Sequence, residues 1–139
     1  MAADFLFVYG TLRAERDDAL AKRLREEASL IGVGAMQGLL YRIDWYPGAV
    51  DSANEADLVY GDLYSLSPTS QLLKELDVYE GCGEDDPRPH EYRREKRSVR
   101  FGDRRFSAWV YLYNWSLDGK AVIPGGDFLA DGDTEGAVR

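Results

Sequence analysis

The sequence predicts an α+β fold: a small, mixed but mostly antiparallel sheet of about six strands, curled or closed into a barrel, with two or more helices packed outside it. Three observations predict this. β-prone apolar runs recur at residues 5–9, 30–43, 59–66, 91–101 and 106–113, with a short one at 49–50. Gly32, Gly34 and Gly38 lie inside one of these runs, as strands that bulge or bend into a barrel wall require. Only two stretches carry apolar residues at helical spacing. The chain of 139 residues reads as one domain, residues 1–139. At that size a fold buries roughly 68–70% of the surface its unfolded form exposes. The Gly- and Asp-rich tail after about residue 129 is expected to fray.

Phe5, Leu6, Phe7, Val8 and Tyr9 form an unbroken apolar run, the pattern of a strand covered on both faces. Gly10 ends it. Asp17 or Asp18 can cap a helix to about Ala28, with Leu20, Leu24 and Ala28 on one stripe. Tyr46-Pro47-Gly48 reads as a turn and 51–57 as a polar loop. In the 59–66 strand, Val59, Gly61 and Leu63 alternate with Tyr60, Asp62 and Tyr64. A second helix follows at 68–79: Ser67 is an N-cap, Pro68 fits the first helical position, and Leu72, Leu73, Leu76 and Tyr79 form its apolar face. Gly81 supplies the stop. Residues 83–89 make an acidic loop with two prolines. Gly102-Asp103 then joins the last two long runs as a hairpin.

A net charge of −8 argues against nucleic acid as a partner, which would need a basic surface. The local basic run Arg93, Arg94, Lys96, Arg97 and Arg100 reads as a solvated strand face. No run reaches the roughly 18 apolar residues of a membrane span. The N-terminus lacks the basic and apolar regions of a signal peptide. The single cysteine, Cys82, forms no internal disulfide. Together these point to the cytoplasm and to no membrane partner. One His (His90) and one Cys make no zinc site, and no phosphate-binding glycine pattern appears, so neither metal nor cofactor is expected. A Cys82–His90 nucleophile and base couple is the weaker alternative chemistry.

Glu80 is the residue of most chemical interest. It falls where the second helix ends, among unpaired carbonyls at the negative end of the helix dipole. Asp77 lies one turn earlier. Both features predict a carboxyl group whose pKa moves up, suited to general acid/base work near neutral pH. On local sequence alone, a glutamate at a helix end is more often a solvated surface group. Gly10, directly after a buried strand, lets backbone N–H groups turn toward one point and cradle an anion or a carbonyl oxygen. Tyr92, Tyr111 and Tyr113 add hydroxyls on later strands.

Phe7-Val8-Tyr9-Gly10-Thr11-Leu12-Arg13 resembles the YG(S/T)L substrate loop of the gamma-glutamylcyclotransferase-like (AIG2-like) proteins. The resemblance continues in order through Gly38-Leu39-Leu40-Tyr41, Tyr46-Pro47-Gly48, Gly61-Asp62-Leu63-Tyr64, Leu76-Asp77-Val78-Tyr79-Glu80-Gly81, Tyr92-Arg93-Arg94, Ala108-Trp109-Val110-Tyr111 and Gly126-Asp127-Phe128. It departs at Glu95 and Arg97, where relatives carry apolar strand residues, and at Phe128, where they carry Trp.

The resemblance implies a small barrel with a cavity at the Tyr9–Leu12 loop and a small-molecule gamma-glutamyl substrate. Glu80 would be the catalytic acid/base. Tyr9, Gly10, Thr11 and Leu12 would hold the gamma-glutamyl group, and Tyr92 and Tyr111 would complete the pocket wall. The expected products are 5-oxoproline and an amine or amino acid. The alternatives are a non-catalytic small-ligand or partner-binding protein that keeps the pocket, and hydrolysis of the same amide to glutamate.

Overall fold

A computed structural model describes residues 4–10, 19–44, 46–67, 71–79, 83 and 87–128, with the side chains of 19–21, 25 and 79 excepted. In chain order the elements are β1 (Asp4–Val8), α1 (Ala19–Glu27), β2 (Ala28–Gln37), β3 (Leu39–Arg42), β4 (Pro47–Val50), β5 (Leu58–Leu66), α2 (Leu72–Tyr79), β6 (Tyr92–Phe101), β7 (Arg104–Tyr113) and β8 (Ala121–Val122). A 3₁₀ turn follows at Pro124–Gly126. Asp17, Asp18 and Pro68 lie outside the described residues; α2 begins only at Leu72, with Gln71 not helical, so Ser67 is not the cap of this helix.

The strands hydrogen-bond in the order β1-β5-β2-β6-β7-β4-β3-β8. A parallel pairing of β1 with β7, at Leu6 opposite Trp109, closes the first five into a barrel. The β4-β3-β8 arm extends from β7, with β4 also parallel to it at Ala49 opposite Leu112. The remaining pairings are antiparallel. Eight strands replace the expected six or so, for two reasons. The 30–43 wall divides at Gly38, whose N–H turns to the Asp57 carbonyl, so that β3 leaves β5 for β4. The two-residue β8 is too short to show a period. The bulge expected at the glycines is present, as the β2–β5 register shifts between Leu30 and Gly32.

Alternation along the strands separates two apolar clusters. Phe7, Tyr9, Met36, Val59, Leu63, Val99, Ala108, Val110 and Leu112 pack together inside the ring. Leu6, Val8, Tyr64, Leu66, Tyr111 and Tyr113 face the other way, where Leu24 of α1 and Leu72 and Leu76 of α2 cover them. β1 is thus sandwiched between the two, which explains its unbroken apolar run. Each fully buried leucine of the helices contributes about 1.5–3 kcal/mol. Arg23 of α1 bonds Glu27 one turn on in the same helix and, across the helix pair, Glu75 of α2.

β6 and β7 pair in ten consecutive rungs, from Tyr92 opposite Tyr113 to Phe101 opposite Arg104. Gly102, at φ +62°, takes the first central position of the connecting turn, where hairpins of the II′ class want glycine; hence the Gly-Asp order. The strand runs regularly through Glu95 and Arg97. Arg97 finds Asp51 through a two-pronged contact of 2.8 and 2.7 Å, and Glu95 lies beside Arg93.

That guanidinium fork holds the Asp51 carboxyl below its ordinary range. A lowered folded pKa means stability that is present above the unfolded value, near 3.9, and lost as pH falls through the folded one. Asp51 is 47% exposed, so solvent screening limits the contribution to at most about 1 kcal/mol. Asp51→Asn is expected to lower stability by that amount at pH 7, with the gap to wild type closing below about pH 4. Urea melts across pH 3–7 check this; a gap constant with pH would contradict it.

Candidate active site

β1 and β4 share one side of β7, and the ladder passes from one to the other near Tyr111. Tyr9, just past β1, bridges that change of partner. Its buried hydroxyl donates to the Tyr111 carbonyl at 2.5 Å and accepts from the Ala49 N–H at 3.0 Å. The Tyr9 ring packs inside the barrel, so what Tyr9 offers a ligand it offers from its backbone. Gly10 comes next. A Cβ there would sit 2.9 Å from Pro47 Cγ, closer than side chains pack, so the approach of β4 requires glycine. Pro47 itself opens β4, opposite Arg42, where a turn had been expected. Proline is tolerated at the first residue of a strand.

Tyr92, first in β6, donates its hydroxyl to the Pro47 carbonyl at 2.6 Å. Its ring meets Tyr113 edge-on at 5.5 Å and lies 6.4 Å from Tyr46. The Tyr46 hydroxyl donates to Glu91. Burial first, and then that carboxylate, push the Tyr46 phenol well above its usual range. Tyr113 shifts the same way for the same two reasons. Tyr46 and Tyr113 therefore stay neutral at physiological pH.

Tyr111 joins the β1 end to α2. Its carbonyl holds Tyr9, while its hydroxyl donates to Asp77 Oδ1 at 2.7 Å in the last turn of α2. Arg94, opposite Tyr111 on the β6–β7 ladder, grips both oxygens of the same carboxylate, Nε to Oδ1 at 2.7 Å and Nη2 to Oδ2 at 3.1 Å. The Arg94 guanidinium lies over the Trp109 ring at 4.4 Å. Asp77 therefore faces a cation.

Four of the residues flagged in the sequence, Tyr9, Gly10, Tyr92 and Tyr111, are thus gathered about the start of β4. Thr11, Leu12 and Glu80 lie outside the described residues; Glu80 is the residue that follows α2. Cys82 also lies outside, and the His90 carbonyl accepts from Asn114 Nδ2 at 3.0 Å. Sequence reasoning missed Arg94, placing it in a solvated basic run. The signal was its two-residue spacing from Tyr92, which puts both on one face of β6.

A separate cavity of about 330 Å³, lined by Gly38, Leu40, Asp57, Tyr60, Ile123 and Gly126, contains none of the candidate catalytic or substrate-binding residues. Among the described residues no group of three or more His, Cys, Asp or Glu side chains is placed to hold a metal ion. No described helix is long and apolar enough to cross a membrane.

A closed five-stranded barrel with extra strands matches the fold of the gamma-glutamylcyclotransferase-like proteins. The chain belongs to the family described as gamma-glutamyl cyclotransferase, AIG2-like, whose model matches residues 6–130. It is 31% identical over 125 residues to the gamma-glutamylcyclotransferase family protein YtfP of Escherichia coli, covering 89% of this chain and 95% of that one. The solution structure of ytfP from Escherichia coli superposes with a TM-score of 0.62 at 30% identity, covering 90% of this chain and 96% of that one. YkqA of Bacillus subtilis gives a TM-score of 0.70 at 20% identity; the match takes in 97% of this chain but 43% of YkqA. An AIG2-like protein from Mus musculus gives 0.62 at 20% identity, with 92% of this chain and 95% of that one covered. These last two likenesses concern the fold.

Proposed function

We propose that the protein is a gamma-glutamylcyclotransferase that releases 5-oxoproline from a gamma-glutamyl amine or gamma-glutamyl amino acid, with Glu80 as general acid/base. In this reading Glu80 takes a proton from the substrate α-ammonium. The freed amine attacks the gamma carbonyl, a new C–N bond closes the five-membered ring, and the bond to the leaving amine breaks. Glu80 then returns its proton to that amine and relays to it the surplus proton of the ring nitrogen, so that a neutral lactam forms and the amine leaves as its ammonium. Because nucleophile and electrophile belong to one molecule, holding the substrate folded supplies an effective molarity on the order of 10⁵–10⁸ M. A tuned carboxyl adds about 10²–10⁴-fold. Protons and electron pairs balance without a metal or cofactor, and the partner is a small-molecule gamma-glutamyl substrate. We assign the cytoplasm as its compartment.

The observation that carries this reading is the double role of Tyr111. One residue ties the Tyr9-Gly10 end of β1, through its carbonyl, to the last turn of α2, through its hydroxyl. It thereby supports together the two segments on which the substrate loop and Glu80 follow in sequence. Family membership supports the reaction class.

The test is a panel of gamma-glutamyl amines and amino acids, scored for 5-oxoproline and for glutamate. The expected result is 5-oxoproline with no glutamate. Glutamate instead would mean hydrolysis, and silence across the panel would favour a non-catalytic binding protein.

A further inference from the structure

We infer that Asp77 and Arg94 are positioning residues, which fix the last turn of α2, the turn that Glu80 follows in sequence. The inference rests on the reading of Glu80 as the proton carrier.

α2 has eight residues, roughly 12 Å of helix, and a helix so short has little stability of its own. Its last turn has carbonyls without intrahelical partners and is the part most prone to fray. A proton carrier just beyond such a turn would wander, whereas catalysis needs it held to about 0.5 Å. The structure supplies the restraint at Asp77. Both carboxylate oxygens are engaged by Arg94 and one also by the Tyr111 hydroxyl, at 2.7, 3.1 and 2.7 Å. The same hydroxyl lies 3.4 Å from the Leu73 carbonyl one turn earlier. Arg94 and Tyr111 form one rung of the longest hairpin in the fold. The Arg94 guanidinium carbon lies 4.4 Å from the centre of the Trp109 ring, which Lys96 also approaches, at 4.8 Å. A planar fork over a ring, gripping both oxygens, fixes direction as well as distance; an ammonium would fix neither.

An ordinary surface ion pair would also hold charge near charge, so the test must separate placement from stability. With a substrate from the panel, Arg94→Met and Arg94→Lys are each expected to lower kcat about tenfold and leave KM within about twofold. Arg94→Lys keeps the charge and the fold, so loss of the fork alone is what it reports. In a Glu80→Gln background the Arg94 substitutions are expected to lower the residual kcat no further, because Arg94 acts through Glu80. Hydrogen exchange provides a readout independent of activity: amides at the end of α2 should exchange faster in both variants, with those of β6 and β7 unchanged. Wild-type kcat in Arg94→Lys, an equal loss in both backgrounds, or unchanged exchange in α2 would overturn the inference. A wild type without 5-oxoproline release would overturn the functional reading. If wild type is active and Glu80→Gln is not, indifference to Arg94 sinks positioning alone.

Discussion

Replacing Tyr9 with Phe is expected to destabilise the protein by about 2–4 kcal/mol, a large fraction of the total for a domain of this size. The ring stays, so no cavity opens. What is lost is one oxygen that serves two backbone groups, the Tyr111 carbonyl and the Ala49 N–H. Ala49 is fully buried and Tyr111 nearly so, and each orphaned buried group costs about 1–3 kcal/mol. The damage falls where the ladder on β7 passes from β1 to β4, so the arm and the Gly10–Pro47 contact should loosen together. Thermal melting should drop by roughly 10 °C. A loss below about 0.5 kcal/mol would mean that water enters and replaces the hydroxyl, and that the tyrosine bridge is not what joins the two strands.

That bridge also shows where sequence reading stops. Periodicity located β1, because five apolar residues in a row have few other uses, and it located α2 from Leu72, Leu73 and Leu76. Gly102-Asp103 marked the hairpin. Such signals are local: they state which face of an element is apolar, not which element covers it. Tyr111 reaches Tyr9 across 102 positions and Asp77 across 34, separations that no window of residues contains. The barrel closure at Leu6 and Trp109 is of the same kind.

Where local rules misled, another principle had won. Pro47-Gly48 has the composition of a turn, but Pro47 opens an arm strand and Gly48 packs against Tyr113. Arg97 interrupts an apolar pattern without interrupting the strand, because Asp51 answers it. The grip of Arg94 on Asp77, across 17 positions, is another contact that no local rule contains. Tyr9, Gly10, Tyr92 and Tyr111 could be singled out as candidates from the order of short motifs along the chain, but their nearness to β4 could not be read there.

The most direct test of the central claim is turnover and melting temperature on one preparation of Glu80→Gln. Glutamine keeps the size of the side chain and part of its hydrogen bonding, but it exchanges no proton at neutral pH. If Glu80 carries the α-ammonium proton to the leaving amine, 5-oxoproline release should fall by at least ~10². The melting temperature should hold or rise slightly, since a carboxylate beyond a helix C-terminus is removed. A glutamate that merely pairs on the surface gives the reverse, unchanged turnover with marginally lower stability. Full 5-oxoproline release by Glu80→Gln would contradict the account.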